Sequence, residues 1–281
     1  MYKNKRVSFK TLRKVCSARQ SAYEYTKIFI LFAGLVVFLA GCQKSKPGTA
    51  KSETAVPTEK NIVVLLDKTA SVKDQKGVFS SAVKKIIGSL GPGDRFRLAE
   101  ITGSSAADFD FVLKSRIPKN PSYNVLETNE AEYRDTVNKL DKKRKLIRQK
   151  LLEQTKSELA KKPSAMQTDL FGAIYTASLY LSDKKGKKIL VVLSDMIEEN
   201  DHWRFNKVKW TPTLEQKILS REEKLGLVPN MHGIEVYVVG ARGNSLEVMQ
   251  NIRHFWEAYF KKAGATFTED HYAHTLLDWS E

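Results

Sequence analysis

From residue 60 onward, the chain alternates short apolar runs with longer stretches in which apolar residues recur every three or four positions. The apolar runs at residues 62–66, 188–193 and 234–239 are nearly continuous, as expected of strands that are covered on both faces. The spaced pattern between these runs predicts helices. This alternation predicts an α/β fold in which a doubly wound, mostly parallel central sheet carries helices on both faces.

Two further strands are predicted at residues 96–102 and 109–117, and the few residues between them suit a hairpin. One strand of this pair should therefore run antiparallel at the edge of the sheet. A short last strand is predicted near Thr266, and residues 196–212 form an irregular segment that is aromatic and charged. The predicted helices cover residues 78–90, 128–161, 169–181, 213–225 and 246–262.

The N-terminal segment does not belong to this fold. Residues 1–27 are basic and polar, and residues 28–40 are almost wholly apolar. A helix over the apolar run would reach only about 20 Å, short of the ~30 Å hydrocarbon layer, so a signal-peptide core is favoured over a spanning helix. The run ends in LAGC at residues 39–42, which resembles a bacterial lipobox. In that family the cysteine, here Cys42, is lipidated and becomes the mature N-terminus; an uncleaved anchor and an ordinary signal peptide are the alternatives.

These features divide the chain into a lipoprotein signal peptide at residues 1–41, a lipidated Cys42 with a flexible tether at residues 42–59, and a folded domain at residues 60–281. The other cysteine, Cys16, lies in the segment to be removed, so the mature chain would have no disulfide. The lipobox resemblance implies a lipid-anchored protein of the bacterial cell envelope. Gln43 stands where an Asp would resemble an inner-membrane retention signal, so the outer membrane, facing the periplasm or the surface, is expected if the cell has one.

The net charge of the chain is +15, of which the signal segment accounts for +7, so the mature protein carries about +8. Such a charge favours anionic surfaces or acidic partners. A nucleic-acid partner is not indicated, because no recognisable binding module accompanies the charge. The middle of the predicted helix 128–161 is strongly basic, which indicates either a solvated face or a docking surface for anionic lipid or an acidic partner. Its basic residues are Lys142, Lys143, Arg144, Lys145, Arg148 and Lys150.

Polar side chains follow the apolar strands where those strands end. Asp67, Thr69 and Ser71 come directly after the first strand. Two later segments contribute Thr168, which precedes a helix, and Asp195, which follows another strand. Because ligands of parallel α/β sheets collect at the carboxyl ends of the strands, these side chains should meet there. Carboxylate and hydroxyl oxygens form a hard ligand set that suits Mg²⁺ or Mn²⁺ better than zinc.

The sequences DKTAS at 67–71, QTDLFGAI at 167–174 and ILVVLSD at 189–195 resemble the three metal-site loops of von Willebrand factor A domains. The resemblance covers residues 61 to about 268. It implies a metal-ion-dependent adhesion site whose hydroxyls and carboxylates bind a divalent ion directly or through water. An Asp or Glu of a protein partner would complete the coordination, so the resemblance implies binding and not enzymatic turnover. The implied metal-site residues are Asp67, Thr69, Ser71, Thr168 and Asp195.

Three residues depart from the family pattern. Thr69 replaces the usual Ser but keeps a hydroxyl, Lys68 brings a cation near the site, and Met196 stands where Gly is common. A purely structural role is a further alternative, in which Ser71, or one of the two residues at 168–169, caps the helix that follows.

Two other functional classes are alternatives to a metal-dependent binding domain. The sequence DKT at 67–69 resembles the phosphorylated segment of P-type ATPases, but those proteins need several spanning helices that this chain lacks. Haloacid-dehalogenase phosphatases usually have a second Asp two residues after the nucleophile, where this chain has Thr69, and an acidic pair late in the sequence, which IEVYVVGARGN at 234–244 lacks. The other class is a metal-independent scaffold for envelope assembly that acts through the basic helix.

The irregular segment at 196–212 begins beside Asp195 and should overhang the site. Its aromatic residues Trp203, Phe205 and Trp210 are candidate partner contacts, because aromatic residues concentrate binding energy; alternatively, they pack the segment against the domain. Residues 198–202 include two Glu, one Asp and one His. Without a second nearby His or Cys, they indicate a solvated acidic loop and not a zinc site.

Overall fold

The computed structural model describes residues 58–124, 126–163, 165–243, 245–276 and residue 279. The predicted signal peptide, Cys42 and the tether up to residue 57 lie outside these described residues. Within the described ranges, none of the helices is long and apolar enough to cross a bilayer.

A six-stranded sheet forms the centre of the domain, with the strand order β3-β2-β1-β4-β5-β6. Strand β3 pairs antiparallel with β2, and every other neighbouring pair is parallel. The predicted fold class is therefore confirmed: the sheet is doubly wound and mostly parallel, with one antiparallel edge strand. The strands are β1 (Lys60–Asp67), β2 (Arg95–Ile101), β3 (Phe111–Arg116), β4 (Lys187–Leu193), β5 (Ile234–Val239) and β6 (Tyr272–Ala273).

Five long helices lie at the predicted places, with ends that differ by no more than a few residues. The structure also has a short helix α2 inside the predicted hairpin, and a 3-10 helix, Ala70–Gln75, directly after the first loop. The strand predicted near Thr266 is reduced to one isolated bridge to Glu235, and the edge strand β6 comes later. The helices are α1 (Lys76–Gly88), α2 (Ser105–Asp108), α3 (Glu130–Ala160), α4 (Leu170–Ser182), α5 (Pro212–Lys224) and α6 (Leu246–Ala263).

Strand β1 divides the hydrophobic core into two layers because its side chains point alternately to opposite faces. Val63 and Leu65 pack into the cluster that contains the buried residues of α4 and α6. Ile62, Val64 and Leu66 pack into the cluster that contains those of α1. Each fully buried aliphatic side chain contributes about 1.5–3 kcal/mol. The central strand is therefore held from both sides, and its carboxyl end is a rigid place from which to present Asp67.

Candidate metal-binding site

Asp67 is fixed at the carboxyl end of β1 by three hydrogen bonds. Its Oδ1 accepts from the backbone N–H and from the hydroxyl of Thr69, both at 2.8 Å, and its Oδ2 accepts from the hydroxyl of Ser194 at 2.6 Å. A carboxylate that accepts from the N–H two residues further on forms an Asx turn. This turn places the side chains of Thr69 and Ser71 together, with their hydroxyl oxygens 2.9 Å apart.

These two hydroxyls do not serve as helix caps. Thr69 precedes the 3-10 helix but makes no side-chain capping bond to it, and the residue at the N-cap of α1 is Gln75. The capping alternative for Ser71 is therefore wrong. It does hold for Asp169, whose Oδ1 accepts from the N–H of Gly172 at 2.8 Å in the first turn of α4.

Thr168 is brought to the same place by backbone pairing. Its N–H donates to the carbonyl of Glu199 at 2.8 Å, and the N–H of Glu199 donates back at 3.1 Å. A second isolated bridge joins Thr69 to Ala165. Thr69, Ser71 and Thr168 consequently line one cleft of about 420 Å³. The remaining lining residues are Ala70, Pro163, Ala165, Met166, Ile197, Glu199 and Asn206.

Asp195, which lies just beyond the end of β4, is 1% exposed. Its Oδ1 accepts from the N–H of Ile197 at 3.1 Å, whereas its Oδ2 is buried without a hydrogen-bond partner among the described residues. Burial, and then the negative charge of Asp67, raise the pKa of Asp195 to about 7, against a smaller opposing influence of the Ser71 hydroxyl. Burial also raises the pKa of Asp67. Two buried carboxylates that repel each other lower the free energy of unfolding, and a bound cation would relieve this repulsion.

The donor chemistry fits a hard divalent ion. The candidate set comprises two carboxylates and three hydroxyls, all oxygen donors of the kind that Mg²⁺ and Mn²⁺ prefer. Across the described ranges, no group of three or more His, Cys, Asp or Glu side chains is arranged to hold a metal. The candidate site therefore depends on hydroxyls as much as on carboxylates, and the unpartnered Oδ2 of Asp195 is its most direct structural sign.

Lys68, expected as a cation near the site, is directed to another partner. Its Nζ donates to Oε1 of Glu100 on β2 at 2.8 Å, and the side chain is buried in that ion pair. Another cation, the exposed Arg242, lies beside Ser71, and its Nη2 donates to the carbonyl of Ser71 at 3.1 Å. The positive charge of Arg242 also acts to lower the pKa of Asp195.

Met196 has a left-handed backbone, with φ at 64°. This conformation costs an L-residue roughly 1–2 kcal/mol, which gives a physical reason why Gly is common at this position in the resembling family. The strain is held in place by packing, since the Met196 side chain is fully buried and its carbonyl accepts from Nε1 of Trp256 at 2.9 Å.

Several residues of the site were missed by the sequence interpretation. Ser194 was not singled out, although a hydroxyl beside Asp195 at a strand end is the available signal. Asn206 lines the cleft with a buried Oδ1 that has no partner among the described residues, and nothing local in the sequence marks it. Arg242 comes from the loop after β5, so only the sheet order brings it near Ser71.

The interpretation of residues 198–202 as a solvated loop is wrong for Glu198. This side chain is fully buried; its Oε2 accepts from the N–H of Leu170 at 2.8 Å and its Oε1 from Nδ2 of Asn200 at 2.6 Å. Burial raises the pKa of Glu198 well above its ordinary value. Asp201 and His202 are exposed, as expected.

The aromatic residues of segment 196–212 pack the segment against the domain. Phe205 is fully buried, with its ring centroid 5.0 Å from that of Phe255. Trp203 is buried and donates from Nε1 to Oε1 of Glu222 at 2.8 Å. Trp210 is half-buried, with its ring 5.0 Å from Phe205. The expectation of partner contact is therefore corrected for Trp203 and Phe205, because their surfaces are already covered by the core.

The basic stretch of α3 is only partly a free surface. Arg144 is buried and donates to the carbonyl of Pro118 at 2.9 Å, to Asn120 at 2.6 Å and to Asp141 at 2.6 Å. Arg148 donates to the carbonyl of Leu90 at 2.6 Å. These two arginines fasten the helix to the domain. The remaining basic side chains of the stretch are exposed: Lys142, Lys143, Lys145 and Lys150.

Comparisons with known proteins give no family assignment. No protein-family model matches the chain, and no curated protein matches it. Among solved structures, the pilus adhesin SpaC from Lactobacillus rhamnosus GG is 13% identical with a TM-score of 0.44, and the match covers 78% of this chain and 28% of that one. A von Willebrand factor type A protein from Catenulispora acidiphila is 10% identical with a TM-score of 0.36 and coverages of 74% and 42%. The minor pilin PilB from Streptococcus sanguinis is 12% identical with a TM-score of 0.36 and coverages of 76% and 56%. The chain thus spans less than two thirds of the length of each of these proteins.

Proposed function

We propose that this protein is a membrane-anchored bacterial lipoprotein whose domain binds a protein partner through a divalent metal ion. The observation that carries the proposal is the convergence of three loops on one cleft, lined by Thr69, Ser71 and Thr168, together with a buried Asp195 whose Oδ2 lacks a partner among the described residues. The ion would be Mg²⁺ or Mn²⁺. The residues that would hold it are Asp67, Thr69, Ser71, Thr168 and Asp195.

The residues in and around the cleft would have different roles in binding a partner. The bonds from Thr69 and Ser194 keep the Asp67 carboxylate in one orientation, so little side-chain freedom is lost when a ligand arrives. When bound, a divalent ion supplies an open coordination position for the Asp or Glu carboxylate of a partner. Arg242 adds positive charge beside Ser71, and Met166, which is 98% exposed and lines the cleft, offers an apolar contact for the neighbouring residues of that partner.

We propose binding and not turnover for this site. Phosphatases of the haloacid-dehalogenase class usually have a second Asp two residues after the nucleophilic Asp. Thr69 stands at that position after Asp67, and a hydroxyl does not supply the carboxylate that this chemistry uses. Hydrolysis of a generic phosphoester that is lost in Asp67→Asn would overturn this part of the proposal.

The proposed location rests on the lipobox. Acylation at Cys42 would tether the domain to the cell envelope, with the outer membrane as the expected address if the cell has one. Each buried methylene of a lipid contributes about 0.8 kcal/mol, so several acyl chains hold a protein firmly. Mass spectrometry of the mature N-terminus tests this directly, because an unmodified Cys42 would exclude the anchor.

Calorimetric titration of the detergent-solubilised full chain with Mg²⁺ and Mn²⁺ tests the metal site. We expect binding by the wild type and its loss in Asp67→Ala and Asp195→Ala. The matched control is Asp74→Ala, which removes an exposed carboxylate three residues after Ser71 and should leave metal binding unchanged. Absence of binding by the wild type at millimolar metal would refute the proposal.

A metal-independent scaffold is the second candidate, supported by the exposed lysines of α3. Capture of a partner from solubilised membranes should then survive a chelator and fail after charge reversal at Lys142, Lys143 and Lys145. Arg144 is left out of this test because its side chain is buried and fastens the helix. Loss of partner capture in the presence of the chelator would instead support the metal-dependent site.

A further inference from the structure

A second cleft lies where the parallel strands begin, at the opposite end of the sheet from the candidate metal site. Its volume is about 630 Å³. Strands β1 and β4 start beside it, at Lys60 and Lys187, whereas Asp67 and Asp195 lie at their far ends. Eight residues of strand separate the two ends by roughly 25 Å. The lining residues are Glu59, Arg95, Arg97, Lys119, Tyr180, Asp183, Lys184, Lys185 and Gly186.

Positive charge dominates this cleft. Its lining contains five cationic side chains and two carboxylates. One carboxylate, Glu59, is already paired with Lys119 and lies 3.8 Å from Arg95 and 3.9 Å from Arg116. The other, Asp183, is exposed at the rim. An anion that enters the cleft would therefore meet an excess of positive charge.

The guanidinium group of Arg97 is fixed in an orientation that suits binding of such an anion. Its guanidinium lies 5.1 Å from the ring centroid of Phe111 and 4.8 Å from that of Tyr180, and its Nε donates to the hydroxyl of Tyr180. Neither terminal Nη group has a hydrogen bond or an ion pair to any described residue. Two such groups on a fixed planar fork suit two oxygens of one phosphate or carboxylate. Lys184 is also held in place, with its Nζ 4.4 Å from the Tyr180 ring.

We propose that this cleft binds the phosphodiester head group of an anionic membrane lipid. The lipid source follows from the course of the chain and rests on the anchor proposed above. Glu59 lines the cleft and is 17 residues beyond Cys42, which limits their separation to at most about 60 Å. The cleft is thus at the end of the domain that is nearest along the chain to the proposed lipid. Binding there turns the opposite end, with the candidate metal site, away from the bilayer.

The test is calorimetric titration of the full chain in a non-ionic detergent with glycerophosphoglycerol, the soluble deacylated head group of phosphatidylglycerol. EDTA in the buffer keeps the candidate metal site out of the measurement, so failure here is separate from failure of metal binding. We expect saturable binding in the millimolar range or tighter. Glycerophosphocholine, which carries its own cation, should bind at least tenfold more weakly, and so should inorganic phosphate.

Three variants assign the binding to the cleft. Arg97→Gln should weaken it at least tenfold, and the exposed Lys185→Gln about threefold. Lys150→Gln removes the same charge from an exposed position on α3 and should change it less than twofold. Thermal unfolding checks that Arg97→Gln is folded; if it is not, Lys185→Gln decides alone. No binding, an equal loss in Lys150→Gln, or equal affinity for inorganic phosphate would each overturn the proposal, the last in favour of a site for a free anion.

Discussion

The hydroxyl of Ser194 donates a 2.6 Å hydrogen bond to Oδ2 of Asp67, across 127 residues of sequence. The two residues lie at the carboxyl ends of neighbouring parallel strands, where Leu66 is paired with Leu193. The same Ser194 oxygen accepts from the N–H of Met196 at 3.0 Å. One side chain thus fixes the orientation of Asp67 and the path of the loop that carries Asp195.

Ser194→Ala should therefore reduce both stability and metal affinity. The substitution leaves Oδ2 of a buried carboxylate without its donor, which costs about 1–3 kcal/mol of unfolding free energy. Metal affinity should fall severalfold, since Asp67 gains orientational freedom. Urea unfolding and calorimetry measure the two effects. Ser81→Ala is the control. Among the described residues, the Ser81 hydroxyl donates only to the carbonyl of Gly77 in an exposed turn of α1, so its loss should cost less than about 0.5 kcal/mol. Equal effects of the two substitutions would contradict the assigned role of Ser194.

Asp195 should make the metal-free protein less stable as the pH rises. Its pKa is raised to about 7 in the folded state, above the ordinary value of 3.8, so between these two pH values the folded state binds more protons than the unfolded state. Stability contributed by the protonated carboxyl is then lost as the pH rises through that window. Asp195→Asn should stabilise the protein by on the order of 1–3 kcal/mol at pH 8 in EDTA, and by much less at pH 4. Urea unfolding at both pH values measures this, and a gain that is the same at both would be inconsistent with a raised pKa.

Arg144 should prove structural, unlike the lysines beside it. Its guanidinium fastens α3 to the segment after β3 through Pro118 and Asn120. Arg144→Ala should lower the free energy of unfolding by about 1–3 kcal/mol, since buried hydrogen bonds to a charged group are lost. Lys145→Ala, an exposed neighbour with the same formal charge, should change it by less than about 0.5 kcal/mol. If the two variants were equally stable, the contacts of Arg144 would contribute nothing to folding.

The sheet was predictable because its evidence is local. A continuously apolar strand must be buried on both faces of a sheet. The apolar run at residues 62–66 therefore predicted the central strand β1 and placed Asp67 at its end. Hydroxyls at alternate positions after that strand were equally visible. What the sequence does not show is the direction of a side chain whose partner is distant: Lys68 bonds Glu100, and Arg242 reaches Ser71, through strand order alone.

The sequence of the irregular segment 196–212 carries less local information about its structure. The segment has no periodic pattern of apolar residues. The local sequence therefore does not distinguish an aromatic residue that packs into the core from one that is exposed and could contact a partner. Glu198 was likewise expected in solvent, yet it satisfies the N–H of Leu170 at the start of α4, a group 28 residues away. The short helix α2 and the edge strand β6 have only four and two residues, too few to show a helical or strand periodicity in the sequence.

Phe205 provides the test that separates packing from partner contact in this segment. Its ring is fully buried and meets those of Phe171, Trp210 and Phe255. Phe205→Ala should lower the free energy of unfolding by about 3–5 kcal/mol, the usual cost of removing a buried aromatic ring. Leu225→Ala, at the exposed C-cap of α5, should cost less than about 1 kcal/mol. Urea unfolding gives both values, and partner capture at a temperature where both variants are folded gives the second readout. Nearly unchanged stability with loss of capture would return Phe205 to the binding surface; a large loss of stability with capture intact would place its role in holding the Asp195 loop against the core.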